Sequence, residues 1–167
     1  PYSLTMAYAK GARMHGAKIE EGVCVEEIVF EDGRVQGVVT NGGNIGCDIL
    51  VNCAGLWAKR VGRMAGLELA AGIVEHQYFL TEKKLSFDAG LTTLRDPDNN
   101  FYLKPDTGSF AIGGWEEGSR GLHRGLPPLS FGRELFEPNM DRLELFALPA
   151  ATRLPVLNAI GIQTVIN

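Results

Sequence analysis

Two kinds of folding unit follow one another in this 167-residue sequence, and three observations predict them. A helix-spaced apolar stretch leads into short strand-like runs divided by the turn sequences Glu31-Asp32-Gly33 and Asn41-Gly42-Gly43, the pattern of a small antiparallel meander. A nearly unbroken apolar run over 48–53 then enters Ala54-Gly55 and a second helical stretch, as a parallel strand covered on both faces does. Past Gly66 the runs become longer and more amphipathic, which suits an antiparallel sheet. The class is therefore α/β in the first portion and α+β in the second, with domains over 1–68 and 69–160 and a return toward the first domain over 161–167.

In the first helix Leu4, Ala7, Tyr8, Gly11 and Ala12 recur at spacings of three and four, so one face is expected to be buried. Ser3 can cap its start and Gly16 can end it. Strands are expected over 17–20, 23–30, 35–40 and 45–47, with Asp-Gly and Gly-Gly supplying the positive backbone angles of tight hairpins. The glycine that closes the 48–53 strand lets main chain approach a neighbour closely, and the helix over 56–64 offers its N-terminus to an anion or an electron-rich edge. The second portion reads as strands over 72–81, 92–94, 101–104 and 109–113, and then a loop over 116–138 rich in Gly, Pro, Arg and Ser. A short helix over 139–148 and a terminal strand over 160–166 complete it.

With 45% hydrophobic and 22% charged residues the chain can bury a core, since a domain of this size removes roughly 70% of its unfolded surface from water. A net charge of −4 without a basic stripe argues against nucleic acid and anionic membrane as partners. No apolar run approaches the ~20 residues that span a bilayer, and Pro1-Tyr2-Ser3 shows no targeting pattern, so the chain reads as starting inside a longer protein. Cys24, Cys47 and Cys53 fall in strand-like stretches with no Cys-x-x-Cys pair, and are expected to be reduced structural thiols in a reducing compartment. His15, His76 and His123 lie far apart, and no metal site is expected.

The segment Val51-Asn52-Cys53-Ala54-Gly55-Leu56-Trp57-Ala58 resembles the second flavin-contacting strand and turn of the glutathione-reductase-like flavoproteins, in the branch of D-amino acid oxidase, sarcosine oxidase and dimethylglycine dehydrogenase. Small residues there let main chain lie against a flat cofactor, and Trp57 can shield it from water; the plainer reading is an ordinary turn with a core tryptophan. Upstream, Met6-Ala7-Tyr8-Ala9-Lys10-Gly11-Ala12-Arg13, Gly16-Ala17-Lys18-Ile19 and Val23-Cys24-Val25-Glu26-Glu27-Ile28 are similar to the helix and strand that precede this turn in the family. The resemblance implies that the first portion is part of an FAD-binding domain. It implies that Val25, Cys53, Ala54, Gly55 and Trp57 contact FAD, with main chain at Val25 facing the adenine.

Downstream, Glu75-His76-Gln77-Tyr78, Leu94-Arg95-Asp96-Pro97-Asp98, Phe101-Tyr102-Leu103-Lys104-Pro105 and Ile112-Gly113-Gly114-Trp115-Glu116 look like substrate-domain signatures of the dimethylglycine and sarcosine dehydrogenase branch. His76 and Tyr102 are thereby implied to face the substrate amine. The chemistry agrees, because hydride leaves an unprotonated amine and an imidazole or phenol can tune that ionisation. Without the resemblance, His76 reads as a buried histidine bonded to a neighbouring strand. Arg95 and Lys104 either counter a substrate carboxylate or pair with Asp96 or Asp98 at the surface, and Trp115 and Glu116 stand at the rim of the cavity or in the core.

The function implied is oxidation of an N-methylated amino acid, of dimethylglycine or sarcosine type, by hydride transfer to FAD, an oxidation at CH–NH carried out by a longer enzyme of which this piece alone is inactive. The family's Gly-x-Gly-x-x-Gly segment is expected ahead of Pro1, where many relatives also bind flavin covalently, and a folate-binding domain is a further expectation downstream. Oxygen or an electron-transfer flavoprotein is the expected acceptor, and bacterial cytoplasm or mitochondrial matrix the expected compartment. Two alternatives stand beside this reading. One is a non-catalytic relative similar to the regulatory subunit of pyruvate dehydrogenase phosphatase; the other is a related oxidase for another amine or for glycerol 3-phosphate.

Overall fold

The computed structural model describes residues 2–83, 91–122, 125–132 and 134–167. The chain divides into two compact units, Pro1–Leu69 and Ala70–Asn167. His123 lies outside the described residues.

The first unit opens with helix α1 (Tyr2–Met14). Gly16, at φ +86°, ends it, and the amides of Gly16 and Ala17 donate back to the carbonyls of Arg13 and Ala12, closing the last turn in a left-handed cap. None of its residues is buried. The expected buried face is instead open, with Leu4 and Tyr8 60% and 72% exposed, because an amphipathic helix hides its stripe only where another element covers it.

Strands β1 (Val25–Glu31), β2 (Arg34–Thr40) and β3 (Gly43–Gly46) form the meander in that order. Asp32 and Gly33 both take positive φ, so a two-residue turn joins Glu31 to its partner Arg34. Ile28 and Val38, paired across β1 and β2, are the buried hydrophobic residues of this unit.

Two expected strands are absent. Residues 17–20 leave the helix cap as irregular chain, and 48–53 form no strand either. Ile49 and Val51 are 80% and 74% exposed. A strand needs a partner for its main-chain groups, and no strand of the described residues pairs with either segment. Accordingly the three cysteines, all free thiols, lie outside the strands, with Cys24 and Cys53 exposed. A single 3-10 turn (Gly55–Trp57) then enters α2 (Ala58–Met64).

The second unit is built on a five-stranded antiparallel sheet. Its strands are β5 (Tyr78–Thr81), β6 (Leu94–Asp96), β7 (Phe101–Asp106), β8 (Ser109–Gly114) and β10 (Ile162–Ile166), in the order β10-β5-β8-β7-β6. Residues 161–167, expected to return toward the first domain, are thus part of this unit, because β10 pairs along β5. The run expected as one strand over 72–81 is broken into β4 (Ile73–Val74) and β5, and β4 pairs with β9 (Gly121–Leu122), a short strand inside the expected loop.

Helix α3 (Met140–Arg153) starts at Asn139, whose side chain accepts from the Arg142 amide, and packs on one face of the sheet. Val165, Phe79, Ile112, Leu103 and Leu94 stand side by side across the five strands, and with Phe101, Leu143, Phe146 and Ala150 they form the core. Each fully buried Phe or Ile removes enough apolar surface to contribute about 1.5–3 kcal/mol. This explains why α3 runs past the expected end at 148. Pro149 forfeits one bond, to the carbonyl of Leu145, but Phe146 and Ala150 on either side of it are completely buried and the Leu154 amide still bonds Ala150.

Candidate active site

Strand alternation places a second row of residues on the sheet face turned away from α3. Tyr78 of β5 and Tyr102 of β7 both stand opposite Gly113 of β8, and Arg95 of β6 stands opposite Tyr102. Gly113 is required here. A Cβ at this position would lie 2.6 Å from Cζ and 2.9 Å from Cε1 of Tyr102 and would overlap its hydroxyl, so the phenol leans over β8 through the space a side chain would fill.

Trp115 closes on Tyr102 edge to face, with centroids 5.8 Å apart at 64°. The Arg95 guanidinium lies 4.6 Å from the Trp115 ring centre, a cation–π stack. Arg95 therefore pairs with neither Asp96 nor Asp98 as a surface ion pair; the Asp96 carboxylate is taken by the amide and side chain of Asn99. Trp115 is itself fixed by Asn100, whose side chain accepts from the Trp115 amide (3.0 Å) and donates to its carbonyl (2.5 Å). The indole is 41% exposed, which places it at the edge of this face and outside the core.

Tyr102 is half-buried, and that burial raises its phenol pKa above the ordinary value, helped by the neighbouring Tyr78 phenol and the Glu116 carboxylate. It is a neutral hydrogen-bonding group at physiological pH and no base.

His76 is exposed, unlike the buried histidine of the plain reading. It makes no hydrogen bond to Tyr102 among the described residues. It stands between β4 and β5, outside both, flanked by Glu75 and Gln77, which are buried in a polar network. Glu75 pairs with Arg142 (Nη2 to Oε1, 2.6 Å), and Arg142 Nε lies 3.4 Å from Glu116 Oε2. Glu116 Oε1 accepts from the Gln77 amide at 2.9 Å, and the Gln77 side chain bonds both the carbonyl and the amide of Asn139. Glu116 is thus a buried structural acid, 6% exposed. Sequence reading missed this network. Its signal was the alternation Glu75-x-Gln77 within the run expected as one strand over 72–81.

In the first unit, Val25 opens β1 opposite Thr40 and is partly exposed. Cys53 and Gly55 are exposed, Ala54 and Trp57 half-buried. Gly55 has φ +54° with nothing within 4 Å of where a side chain would begin, so its main chain is open to a flat partner. Asn52, not singled out from sequence, holds this turn. Its Oδ1 accepts from the Ala54 amide (3.2 Å) and its Nδ2 donates to the Ala58 carbonyl (2.9 Å), an Asx turn of the kind an asparagine side chain forms with the amide two residues on. These residues fit the edge of a flavin-adenine cofactor: an open glycine, small neighbours and an aromatic flank.

A sheet face bearing two phenols, an indole and a guanidinium, in a chain that also carries an open small-residue turn, suits a flavoprotein oxidoreductase. Residues 1–164 match the DAO family of FAD dependent oxidoreductases, and the chain belongs to that family. It is 34% identical over 176 residues to the mitochondrial dimethylglycine dehydrogenase of Mus musculus, an alignment covering the whole chain and 20% of that relative. It is 31% identical to the mitochondrial sarcosine dehydrogenase of the same organism, over 96% of the chain and 17% of the relative. The chain thus spans about a fifth of the length of these relatives. Among solved structures, L-proline dehydrogenase from P. horikoshii superposes with a TM-score of 0.70 at 24% identity, over 99% of this chain and 42% of that one, which shows the shared mixed α/β fold with antiparallel sheets. No helix among the described residues is long and apolar enough to cross a membrane.

Proposed function

We propose that this chain is the part of a longer flavoenzyme that meets an N-methylated amino acid of the dimethylglycine or sarcosine type and presents it for hydride transfer. The supporting observation is the row Tyr78–Gly113–Tyr102–Arg95 with Trp115 at its edge. It supplies hydrogen-bonding phenols, an aromatic wall and one positive charge on a single face. FAD, when bound, supplies the hydride acceptor.

The remaining chemistry belongs to the residues. Val25, Cys53, Ala54, Gly55 and Trp57 of the first unit hold the cofactor through main chain and small side chains. Tyr102, kept neutral by burial, hydrogen-bonds the substrate and fixes which methyl group is presented. His76, exposed between β4 and β5, accepts the proton that the ammonium must lose before hydride can leave its carbon. Arg95 faces the substrate carboxylate, and Trp115 excludes water. The iminium product is hydrolysed or handed to folate, the electrons pass to an electron-transfer flavoprotein or to oxygen, and the working compartment is a mitochondrial matrix or bacterial cytoplasm.

The test is anaerobic titration of the full-length protein with dimethylglycine and with sarcosine, followed at the flavin band near ~450 nm. Bleaching by either amine, slowed in His76→Ala and in Tyr102→Phe, supports the assignment. A protein that carries no flavin when supplied with FAD points to the regulatory relative, and a flavin that only other amines or glycerol 3-phosphate bleach points to the other oxidase.

A further inference from the structure

The chain segment that bears His76 has an unusual support. Between β4 and β5 residues 75–77 leave the sheet ladder, and the Gln77 amide donates to a side-chain carboxylate, Glu116 Oε1, in place of a strand carbonyl. The flanking side chains of Glu75 and Gln77 both point into the unit, where they end on α3: Glu75 on the Arg142 guanidinium and Gln77 on the main chain of Asn139. Arg142 in turn reaches Glu116, the residue that follows Trp115. A single guanidinium, 8% exposed, therefore stands behind both the histidine segment and the end of β8 that carries the indole packed on Tyr102.

The charges are unbalanced. Two carboxylates, 8% and 6% exposed, share one guanidinium, and such an arrangement persists only if the geometry holds the ions together. It is an expensive way to stabilise a fold, since apolar side chains of similar volume often do as well or better. What apolar packing cannot do is fix direction. Each contact here ties down one chain segment, and two of those segments carry residues of the proposed site, His76 beside Glu75 and Trp115 beside Glu116.

We infer that Arg142 is a positioning residue for the substrate face: through Glu75 it sets the orientation of His76, and through Glu116 it sets that of Trp115 and so of Tyr102. This rests on the assignment of His76 and Tyr102 to the substrate. Arg142 touches no reactant; it acts only by fixing the strand ends from behind.

The experiment uses the full-length flavoprotein with dimethylglycine as probe. It compares the rate of anaerobic flavin reduction in Arg142→Met, Arg142→Lys, His76→Ala and the double variant Arg142→Met/His76→Ala, with flavin content and thermal midpoint measured for each. Arg142→Met is expected to slow reduction by about 10- to 100-fold with flavin retained, the size of effect that misplaced catalytic groups give. In the His76→Ala background the same change is expected to cost less than it does in the unaltered protein, because the share of its effect that runs through His76 is already lost and only the share through Trp115 and Tyr102 remains. Arg142→Lys, which keeps the charge and loses the fork, should recover part of the rate. If Arg142→Met fails to fold, Arg142→Lys and Glu75→Gln carry the same comparison.

Full additivity with His76→Ala, or reduction as fast as in the unaltered protein, overturns the inference while leaving the site assignment standing. A His76→Ala protein that reduces at the normal rate overturns the site assignment and the inference with it.

Discussion

Tyr102 and Gly113 occupy one space: they face each other across β7 and β8, and the phenol lies where a side chain on residue 113 would begin. Gly113→Ala must push the ring off β8 or bend the strand. Overpacking of this kind costs about 1–3 kcal/mol. The expected outcome is a folded protein with a lower denaturation midpoint, in which reduction by dimethylglycine is impaired at least as much as in Tyr102→Phe. Stopped-flow reduction and urea denaturation measured on both variants check it.

The raised pKa of Tyr102 gives a prediction on alkaline stability. Burial, with Tyr78 and Glu116 as lesser causes, favours the neutral phenol in the fold. Its contribution is therefore complete below the ordinary phenol value of about 10 and is lost as pH rises through the higher folded value. Tyr102→Phe should flatten the fall in stability above that ordinary value, and Tyr78→Phe should shift the Tyr102 titration partway back toward it. Thermal midpoints across alkaline pH and ultraviolet titration of the phenol test both.

The turn at Ala54-Gly55 depends on Asn52, which bonds main chain on both sides of it. Asn52→Ala removes two hydrogen bonds worth about 0.5–1.5 kcal/mol each. If the turn holds FAD, the purified full-length variant should carry less flavin per chain, with substrate reduction of its flavin-bound fraction unchanged. The ratio of flavin to protein absorbance measures the first effect and rapid-mixing reduction the second.

Phe146 is fully buried and stacks on Phe79 at 6.1 Å between ring centres. Phe146→Ala should cost about 3–5 kcal/mol through lost burial and the cavity left behind. Its neighbours on α3, Leu145 and Leu148, are 48% and 63% exposed, and the same change at either should cost far less. Chemical denaturation of the three variants tests the contrast.

Local chemistry was readable in this sequence and long-range pairing was not. The Asp32-Gly33 turn fixed the β1–β2 register, because two positive φ angles allow few other outcomes. Asn139 announced the start of α3, and the strands around Phe101 and Ser109 fell where alternation put them. The misreadings have one cause. The runs over 17–20 and 48–53 have strand composition, yet strand composition without a neighbour gives exposed chain. Helix α3 outruns its expected end at 148 because the burial that carries it through Pro149 comes from strands distant in sequence.

The proposed substrate face was legible only in outline. Resemblance singled out Tyr102 and His76, but the polar network beside them joins residues distant in sequence: Arg142 is 67 residues from Glu75, and Gln77 is 39 from Glu116. Nothing in a one-dimensional pattern marks Glu116 as an internal acid instead of a solvent-facing one. Gly113 likewise reads as an ordinary strand glycine until Tyr102 is seen lying over it.

The buried pairing of Glu75, Glu116 and Arg142 also constrains how this lineage can change. Loss of Arg142 strands two carboxylates inside the unit, at a cost of about 3–5 kcal/mol, a large share of the stability a typical domain has, whereas loss of either glutamate leaves the other paired with Arg142. Single-step drift at Arg142 is therefore costly to the fold, whereas joint replacement of all three by well-packed apolar side chains is tolerable. Among homologous sequences an arginine at position 142 should accompany at least one of the two acids, and sequences that keep both acids without it should be scarce.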